Sequence, residues 1–360
     1  MDQTSLPFGT FETIKDWLDS EGDSWAGGNM LKKIHGEFPV PQNAKLRPPC
    51  PPSWYPNQFS GGDVSVIPNG RIWGKNGAIL TPDNYLIGDV SFEGVHITSE
   101  NHSIFKQKGL PSVSHYKNVA DLTHVYSGNY YHYMYEVLPR IDLLHQSNLT
   151  INYYVVNEGF GERYQSETLK RLGIDERQLV PTHDHFHLQA EKLIVPSQPS
   201  FPTKWAYEFL RKTFSNPNTS SSDKKRIFIK RRWSRNFTNI DQLVELLEGL
   251  GFVTLELEDL SVANQVEIFS SAEIVIAAHG AGLTNLTFCQ PGTKVLEIFA
   301  PTYIIPHYWA ISALGNLRYH YLIGEPKDSS SGVKNEWAGG DNITVDIDKL
   351  KTYIEENLLA

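Results

Sequence analysis

Residues 273–299 read EIVIAAHGAGLTNLTFCQPGTKVLEIF, and this stretch decides the predicted fold. The run at 274–278 is short, apolar and rich in β-branched residues, which is typical of a parallel strand buried on both faces. The HGAG run at 279–282 predicts a tight turn into a helix, and the apolar run at 294–299 predicts the next strand. Strand, turn, helix and strand form the repeating unit of a parallel α/β sheet.

The turn at 279–282 has the composition of a phosphate-binding loop. Its small side chains leave room for a ligand, and the helix that follows directs unpaired N–H groups and its dipole toward one point. Glu297 closes the second strand, at the carboxyl edge where open α/β sheets bind ligands, and its carboxylate is placed to accept hydrogen bonds from a ribose. These residues predict half of a nucleotide site.

Composition limits the class of protein. A chain of 360 residues can form two α/β domains, each with its own core. A formal net charge of -9 argues against nucleic acid as the main partner. The two cysteines, Cys50 and Cys289, cannot build a disulfide framework. No stretch approaches the roughly 18 apolar residues of a membrane span, and the N-terminal residues lack the basic character of a signal peptide. We therefore expect a cytoplasmic protein, with a luminal enzyme stripped of its anchor as the alternative.

The order of predicted elements divides the chain. From about residue 225, five strands alternate with four helices, the pattern of a doubly wound parallel sheet. The first half is richer in short strands and also contains βαβ alternation. We predict one α/β domain at 1–200 with an irregular N-terminal arm and a second, Rossmann-like domain at 201–335. A final strand and helix at 336–360 are expected to dock on the body.

Two arginines follow the first strand of the second half. Arg231 and Arg235 lie where RIFIKRR gives way to a loop, so a parallel sheet would bring them to the same edge as the HGAG turn. Two guanidinium groups there can clamp a diphosphate through charge-assisted hydrogen bonds. Taken singly, His279 is equally consistent with a core histidine and Glu297 with an exposed strand-end acid. Only the combination favours a ligand site.

A second candidate pair lies in the first half. The segment SGNYYHYMYEVLPRIDLL places His132 and Glu136 four residues apart, on one face of a predicted helix at 130–146. A carboxylate steadied by an imidazole can take a proton from a sugar hydroxyl, which makes Glu136 a candidate general base. The alternative is an amphipathic helix whose polar face happens to hold both. Pro139 predicts a kink or a break in this helix.

Two patterns resemble metal sites only in part. HDHFH at 183–187 would place three histidines on one side of an extended strand, but no further acid or cysteine cluster completes a zinc site. Asp346 and Asp348 spell a D-x-D, yet they precede the last predicted helix and are better explained as helix capping. We predict no metal ion.

Three segments, AHGAGLTNLTFCQPGTKVLEIF, KRRWSRNFTN and NYYHYMYEVLPRI, together resemble glycosyltransferase family 61 over roughly residues 120–325. The resemblance implies an α/β, GT-B-type architecture in which two Rossmann-like domains face each other across a cleft. The C-terminal domain would hold the nucleotide-sugar and the N-terminal domain the acceptor. It also implies inversion at the anomeric carbon, generally without a D-x-D metal site.

The resemblance also implies roles by position. Glu136 falls where family members show Asp or Glu four residues after the histidine matched by His132, so these two are predicted to be catalytic. The residues predicted to bind the nucleotide-sugar are Arg231, Arg235, His279, Gly280, Ala281, Gly282 and Glu297. The family often reads S-R-R before its arginine spacing, whereas this chain has KRR. The diphosphate contact therefore falls either to Arg231 or to Arg232.

These expectations combine into one predicted activity, an inverting, metal-independent glycosyltransferase that moves a sugar from a UDP-sugar to a polysaccharide or glycan hydroxyl. No cofactor is expected beyond the UDP-sugar co-substrate. The alternative is a non-catalytic protein of the same fold that binds a nucleotide-sugar or a glycan. A serine hydrolase and a dinucleotide dehydrogenase are disfavoured, because G-x-S-x-G is absent and no G-x-G-x-x-G follows a first strand.

Overall fold

The chain forms two compact units. The computed structural model describes residues 5–21, 30–41, 46–199, 201–215, 224–325 and 341–360. Unit 1 comprises Met1–Phe38 and Ser60–Trp205, and unit 2 comprises Pro39–Phe59 and Ala206–Ala360. The segment at 39–59 thus belongs with the C-terminal half of the chain. Residues 336–340 of the predicted C-terminal extension lie outside the described residues, and the predicted domain boundaries stay a prediction.

The strands and helices of the described residues have the following bounds. The strands are β1 (Thr10–Phe11), β2 (Leu31–His35), β3 (Phe38–Pro39), β4 (Gln58–Phe59), β5 (Gly62–Pro68), β6 (Arg71–Trp73), β7 (Ala78–Leu80), β8 (Leu86–Ile87), β9 (Ser114–Asp121), β10 (Tyr153–Val156), β11 (Leu179–Pro181), β12 (His187–Pro196), β13 (Lys225–Ile229), β14 (Phe252–Leu255), β15 (Ala272–Ala278), β16 (Lys294–Phe299) and β17 (Arg318–Ile323). The α-helices are α1 (Ile14–Ser20), α2 (Tyr130–His132), α3 (Arg140–Ser147), α4 (Arg163–Arg171), α5 (Lys204–Phe214), α6 (Ile240–Gly249), α7 (Val262–Ser270), α8 (His307–Leu314) and α9 (Ile347–Ile354). Short 3₁₀ helices span Pro52–Trp54, Gly88–Val90, Ser99–Asn101, Ser103–Lys106, Glu176–Gln178 and Ala281–Phe288, and π-helical turns span Tyr133–Val137 and Glu355–Leu359. Within the described ranges, no helix is both long enough and apolar enough to cross a membrane.

Unit 1 is built on a mixed sheet. Its strand order is β1-β8-β7-β6-β12-β9-β10-β11, and β5 pairs with both β12 and β2. The four strands from β12 to β11 run parallel, whereas β5 and β6 pair antiparallel with β12. Apolar side chains such as Trp17, Ile67 and Val119 are completely buried in the core of this unit. The parallel half brings the carboxyl ends of β9 and β10 to the same edge of the sheet.

Unit 2 is built on a parallel sheet of the order β14-β13-β15-β16-β17. All four strand pairs are parallel, which confirms the predicted run of five parallel strands. In chain order this is 2-1-3-4-5, a doubly wound arrangement whose strand order reverses between β13 and β15. Sheets of this kind bind ligands outside the carboxyl ends of the two strands at such a switch point. The loops after β13 and β15 are therefore the first place to search for a site.

The C-terminal helix packs on unit 2. Leu350, Ile354 and Leu358 are buried in the same apolar cluster as strands of the sheet. Fully burying each such side chain stabilises a fold by about 1.5–3 kcal/mol. The side chain of Asp346 accepts a hydrogen bond from the backbone N–H of Lys349, so the predicted capping role of the D-x-D is confirmed.

Candidate functional site

The first group of predicted site residues lies at the switch point of the unit 2 sheet. β13 ends at Ile229 and leads into the loop that carries Arg231 and Arg235, while β15 ends at Ala278 and is followed directly by His279. The guanidinium of Arg231 donates a hydrogen bond from Nη1 to the carbonyl oxygen of His279, at 3.3 Å. The fold thus brings the arginine loop and the HGAG turn into contact.

Arg231 is held by uncharged partners. Its Nε donates to the carbonyl oxygen of Ser234 at 2.7 Å and its Nη2 to Ser234 Oγ at 3.3 Å. Across the part of the chain that the structure describes, Arg231 makes no ion pair. Burial, with repulsion from Arg235, lowers the pKa of Arg231 to about 10. Two neighbouring guanidinium groups create positive potential at the switch point, which attracts an anion.

The carboxylates near each side chain decide whether Arg231 or Arg232 is available to contact a diphosphate. Arg232 donates from Nε to Glu256 at 2.6 Å and from Nη2 to Asp259, so its charge is paired with the loop that follows β14. Arg231 lies beside His279 instead. The sequence could not separate the two arginines, because the acids that pair with Arg232 come from another strand's loop.

Gly280 leaves space for Arg231. A Cβ atom added to Gly280 would lie 1.3 Å from Nη1 of Arg231 and 2.5 Å from Cζ, far inside contact distance. The φ of Gly280 is 166°, an extended value open to any residue, so the requirement for glycine is steric. At Gly282 a Cβ would lie 3.1 Å from Cδ1 of Leu257, in the loop after β14, and 3.5 Å from Cγ2 of Ile229, at the end of β13. The space that the sequence suggested for a ligand is occupied at Gly280 by an arginine of the protein itself.

Ala281 and Gly282 begin the helix after the turn. This helix is a 3₁₀ helix over Ala281–Phe288, not the α-helix implied by the pattern, with Leu283 N–H donating to Gly280 O at 2.9 Å. Its first N–H groups have no acceptor within the helix. Because the helix begins at Ala281, these N–H groups lie in the turn that also carries His279.

Glu297 is an interior residue of the sheet. β16 continues two residues beyond it to Phe299, and its side chain is completely buried, so the alternative of an exposed strand-end acid is wrong. One carboxylate oxygen contacts Nδ1 of His279, and the other accepts a hydrogen bond from the Tyr319 hydroxyl at 2.6 Å. Both oxygens are thus engaged within the protein. The strand that supplies Tyr319 was predicted, but its contact with Glu297 depends on the pairing of β16 with β17, which the local pattern does not give.

The environment favours the neutral forms of His279 and Glu297. Burial raises the pKa of Glu297 well above its ordinary value. Burial also lowers the pKa of His279 well below its ordinary value, and the charges of Arg235 and Arg231 lower it further. In a neutral pair the carboxyl proton lies between Glu297 and Nδ1 of His279, so Nε2 carries the second hydrogen. His279 then offers an N–H donor beside two arginines.

The second group of predicted site residues lies in unit 1. The predicted helix at 130–146 is divided into α2, the π-helical turn Tyr133–Val137 and α3, with Leu138 N–H donating to Tyr133 O at 2.8 Å. Pro139, which lacks an N–H, precedes the first residue of α3, as the predicted break required. Single π-helical turns occur frequently at functional sites.

Three polar side chains meet at this π turn. His132 Nδ1 lies 2.6 Å from Glu136 Oε2, so the predicted pair is in contact. His124 Nε2 lies 3.1 Å from the same oxygen. Nδ1 of His124 accepts the backbone N–H of Tyr126 at 3.2 Å, so the ring proton is on Nε2 and is donated to Glu136. Burial lowers the pKa of His124 to about 3 and raises the pKa of Glu136.

His124 is the residue that sequence reasoning missed. It follows β9 in the segment DLTH, in a turn fixed by a buried ion pair between Arg140 Nη2 and Asp121 Oδ2 at 2.6 Å. Arg140 also donates to Thr123 O at 2.8 Å, and Asp121 accepts from the Thr123 hydroxyl at 2.7 Å. The available signal was a histidine just after an apolar strand. Its contact with α2 depends on tertiary structure.

His124, His132 and Glu136 also have the composition of a metal-binding group. One potential ligand atom from each lies within 4.8 Å of the other two. A metal-binding histidine, however, usually donates its second ring N–H to a neighbouring acceptor. Nδ1 of His124 faces the N–H donor of Tyr126, so Nε2 holds the proton and has no lone pair for a metal. The geometry favours a hydrogen-bonded group.

The HDHFH segment does not form the histidine patch considered from the sequence. His183 and His185 are exposed and precede β12, while His187 is buried as the first residue of that strand. The ring of His187 donates from Nδ1 to Pro111 O at 2.8 Å. The expected single extended strand is therefore wrong, because the turn at 183–186 separates the histidines.

Comparison with known proteins shows one matching region. Residues 130–296 match the family described as Glycosyltransferase 61, so this part of the chain is similar to the glycosyltransferases of that family. The matched region contains His132, Glu136, Arg231 and the HGAG turn. Glu297 lies one residue beyond it.

Particular relatives transfer different sugars. A beta-1,2-xylosyltransferase of Oryza sativa subsp. japonica, RCN11, is 44% identical over 63 residues, 18% of this chain and 12% of that protein. A second xylosyltransferase of that organism, XYXT1, is 28% identical over 137 residues, 36% of this chain and 30% of its own length. The EGF domain-specific O-linked N-acetylglucosamine transferase of Xenopus laevis is 29% identical over 89 residues, 23% of this chain and 17% of its own. The chain thus spans less than a third of each of these relatives.

Proposed function

We propose that this protein is an inverting, metal-independent glycosyltransferase of the GT-B type that moves a sugar from a UDP-sugar to a hydroxyl of a polysaccharide or other glycan. One observation carries the proposal. Arg231 and Arg235 lie with His279 at the switch point of a doubly wound sheet, and the hydrogen bonds that Arg231 makes to the described residues all go to uncharged partners. This arrangement supports a diphosphate as the ligand rather than a neutral molecule.

The chemistry assigns a role to each group. An inverting transfer is a single in-line displacement, so the acceptor hydroxyl needs a base and the departing diphosphate needs positive charge. Arg231, Arg235 and the N–H of His279 would stabilise the diphosphate without a divalent ion. Glu297 would act through His279, because both of its oxygens are already engaged. The pair of His132 and Glu136 would form the base.

The relatives define which donors to test. Their names describe transferases of xylose, arabinose and N-acetylglucosamine. A panel of the corresponding UDP-sugars, with UDP and free monosaccharides, therefore covers the proposed donor class. A nucleotide site predicts that UDP alone raises the melting temperature, because a ligand that binds the folded state stabilises it.

Arg231→Ala tests the phosphate assignment, and Arg232→Ala is its matched control. Removing a hydrogen bond to a charged group costs about 1.5–3 kcal/mol, so Arg231→Ala should weaken UDP binding by about 10- to 150-fold in titration calorimetry. Arg232→Ala, whose charge is paired with Glu256 and Asp259, should bind UDP nearly as wild type does. Equal losses in the two variants would contradict the assignment.

Glu136→Gln separates the enzyme from a non-catalytic binding protein. The assay measures UDP release from each donor with an oligosaccharide panel and with water as acceptors, and NMR of the product gives the anomeric configuration. We expect wild type to release UDP and to form a product of inverted configuration. If wild type and Glu136→Gln release equally little UDP while UDP still binds, the protein is a binding module.

A further inference from the structure

We infer that His132 is the group that takes the proton from the acceptor hydroxyl, and that Glu136 and His124 are positioning residues that act through it. The inference rests on the proposed function and specifies the base of that reaction. It follows from the order in which the three side chains lie between the protein interior and the solvent.

Exposure separates the two candidate bases. The side chain of Glu136 is 5% exposed, whereas that of His132 is 27% exposed. Oε2 of Glu136 already accepts from both imidazoles, at 2.6 Å and 3.1 Å. Nε2 of His132 has no hydrogen-bond partner among the described residues. An incoming hydroxyl therefore meets the imidazole before it can reach the carboxylate.

Hydrogen-bond direction gives His132 the correct tautomer. The N–H of Tyr126 fixes the proton of His124 on Nε2, which directs one donor at Glu136. We take Glu136 as ionised, the form that its hydrogen bond with His132 favours against the effect of burial. An ionised carboxylate can only accept, so it also takes the N–H of His132 Nδ1. The lone pair of His132 is then on Nε2, the nitrogen that faces away from Glu136. A carboxylate that orients a histidine and stabilises the imidazolium is the arrangement used in Ser-His-Asp sites.

Neighbouring rings hold the imidazole in place. The ring of Tyr126 lies 4.9 Å from that of His132, and the ring of His124 stacks on it at 5.7 Å with 22° between the planes. Tyr131 contacts the ring edge-on at 5.2 Å. A base supported in this way loses little orientational freedom when the acceptor binds.

The step balances without a co-reactant. The acceptor oxygen forms a bond to the anomeric carbon as the bond from that carbon to the diphosphate oxygen breaks, and the diphosphate leaves with the electron pair. The hydroxyl proton passes to Nε2 of His132. The resulting imidazolium is stabilised by Glu136 through Nδ1 and later releases its proton to water.

Chemical rescue distinguishes His132 from Glu136 as the base. His132→Ala should lower kcat by about 100- to 10,000-fold, the usual contribution of general base catalysis. Added imidazole should restore part of that rate in proportion to its concentration, because it replaces the missing group. Glu136→Gln should lower kcat as well, with the acceptor KM unchanged, since a glutamine can favour the wrong tautomer of His132. Formate should not rescue Glu136→Ala.

Two controls keep the result interpretable. His145→Ala removes an exposed histidine of α3 and should leave kcat unchanged, both with and without imidazole. If His132→Ala does not unfold cooperatively, His132→Gln replaces it in the kinetic assay. In every variant, UDP binding is measured to check that unit 2 is folded.

The outcomes separate the two proposals. Imidazole rescue of His132→Ala without formate rescue of Glu136→Ala supports His132 as the base. Formate rescue of Glu136→Ala, or wild-type kcat in His132→Ala, overturns the inference and leaves the glycosyltransferase proposal intact. A wild-type protein that binds UDP but transfers no sugar to any acceptor or to water overturns both.

Discussion

Gly280→Ala should weaken UDP binding as much as the loss of Arg231 itself does. The added Cβ would lie 1.3 Å from Nη1 of Arg231, whereas ordinary contacts begin near 3.4 Å, so the guanidinium must retreat by about 2 Å. That movement breaks its 3.3 Å hydrogen bond to His279 O. The backbone of Gly280 is extended, so alanine adds no conformational strain there.

The expected magnitude follows from the displaced group. Losing one charge-assisted contact with a phosphate costs about 1.5–3 kcal/mol, which weakens binding by about 10- to 150-fold. Calorimetric titration with UDP should give similar Kd values for Gly280→Ala, Arg231→Ala and the double variant, because both changes remove the same contact. Gly249→Ala, in open space at the end of α6, is the matched control. Wild-type affinity in Gly280→Ala, or losses that multiply in the double variant, would refute the reasoning.

Three further predictions concern unit 1. Arg140→Leu should cost about 3–5 kcal/mol in urea unfolding, because it leaves the carboxylate of Asp121 buried and unpaired; a loss under about 1 kcal/mol would contradict this. Burial lowers the pKa of His187, so the folded state binds fewer protons than the unfolded chain below pH 6.5, and stability falls as pH drops from there. His187→Gln should reduce that slope by up to about 1.4 kcal/mol per pH unit, whereas exposed His185→Gln should not. Sugar transfer should be unchanged by EDTA, since Nε2 of His124 carries a proton; restoration of a lost rate by added Mn²⁺ would contradict this.

The fold was predictable where the local pattern alone determines the structure. The β-branched run at 274–278 lies within β15, and the alternation that follows it produces the parallel sheet of unit 2. The 3₁₀ character of 281–288 was not predictable, because small differences in hydrogen bonding separate it from an α-helix. The π turn at 133–137 was missed for the same reason.

The candidate site was predictable as a set of residues but not as a set of contacts. His132 and Glu136 were identified by their spacing, since four residues along a helix bring two side chains together. His124 depends on the placement of β9 beside α2, and the burial of Glu297 depends on Tyr319 from β17. Each of these contacts joins segments far apart in sequence. Spacing within one element carries no information about them.

The division of unit 2 into two stretches of chain has a consequence for biosynthesis. Tyr55 packs edge-on against Trp309, with ring centroids 5.0 Å apart, and Arg47 lies over both rings at 5.1 Å. Trp309 is synthesised about 250 residues after Tyr55, which is roughly 10–50 s at typical rates of translation. Unit 1 can complete its core in that interval, whereas the segment at 39–59 must wait for its partner. Arg47 and Tyr55 therefore acquire their packing partner Trp309 only late in synthesis, after unit 1 has had time to fold.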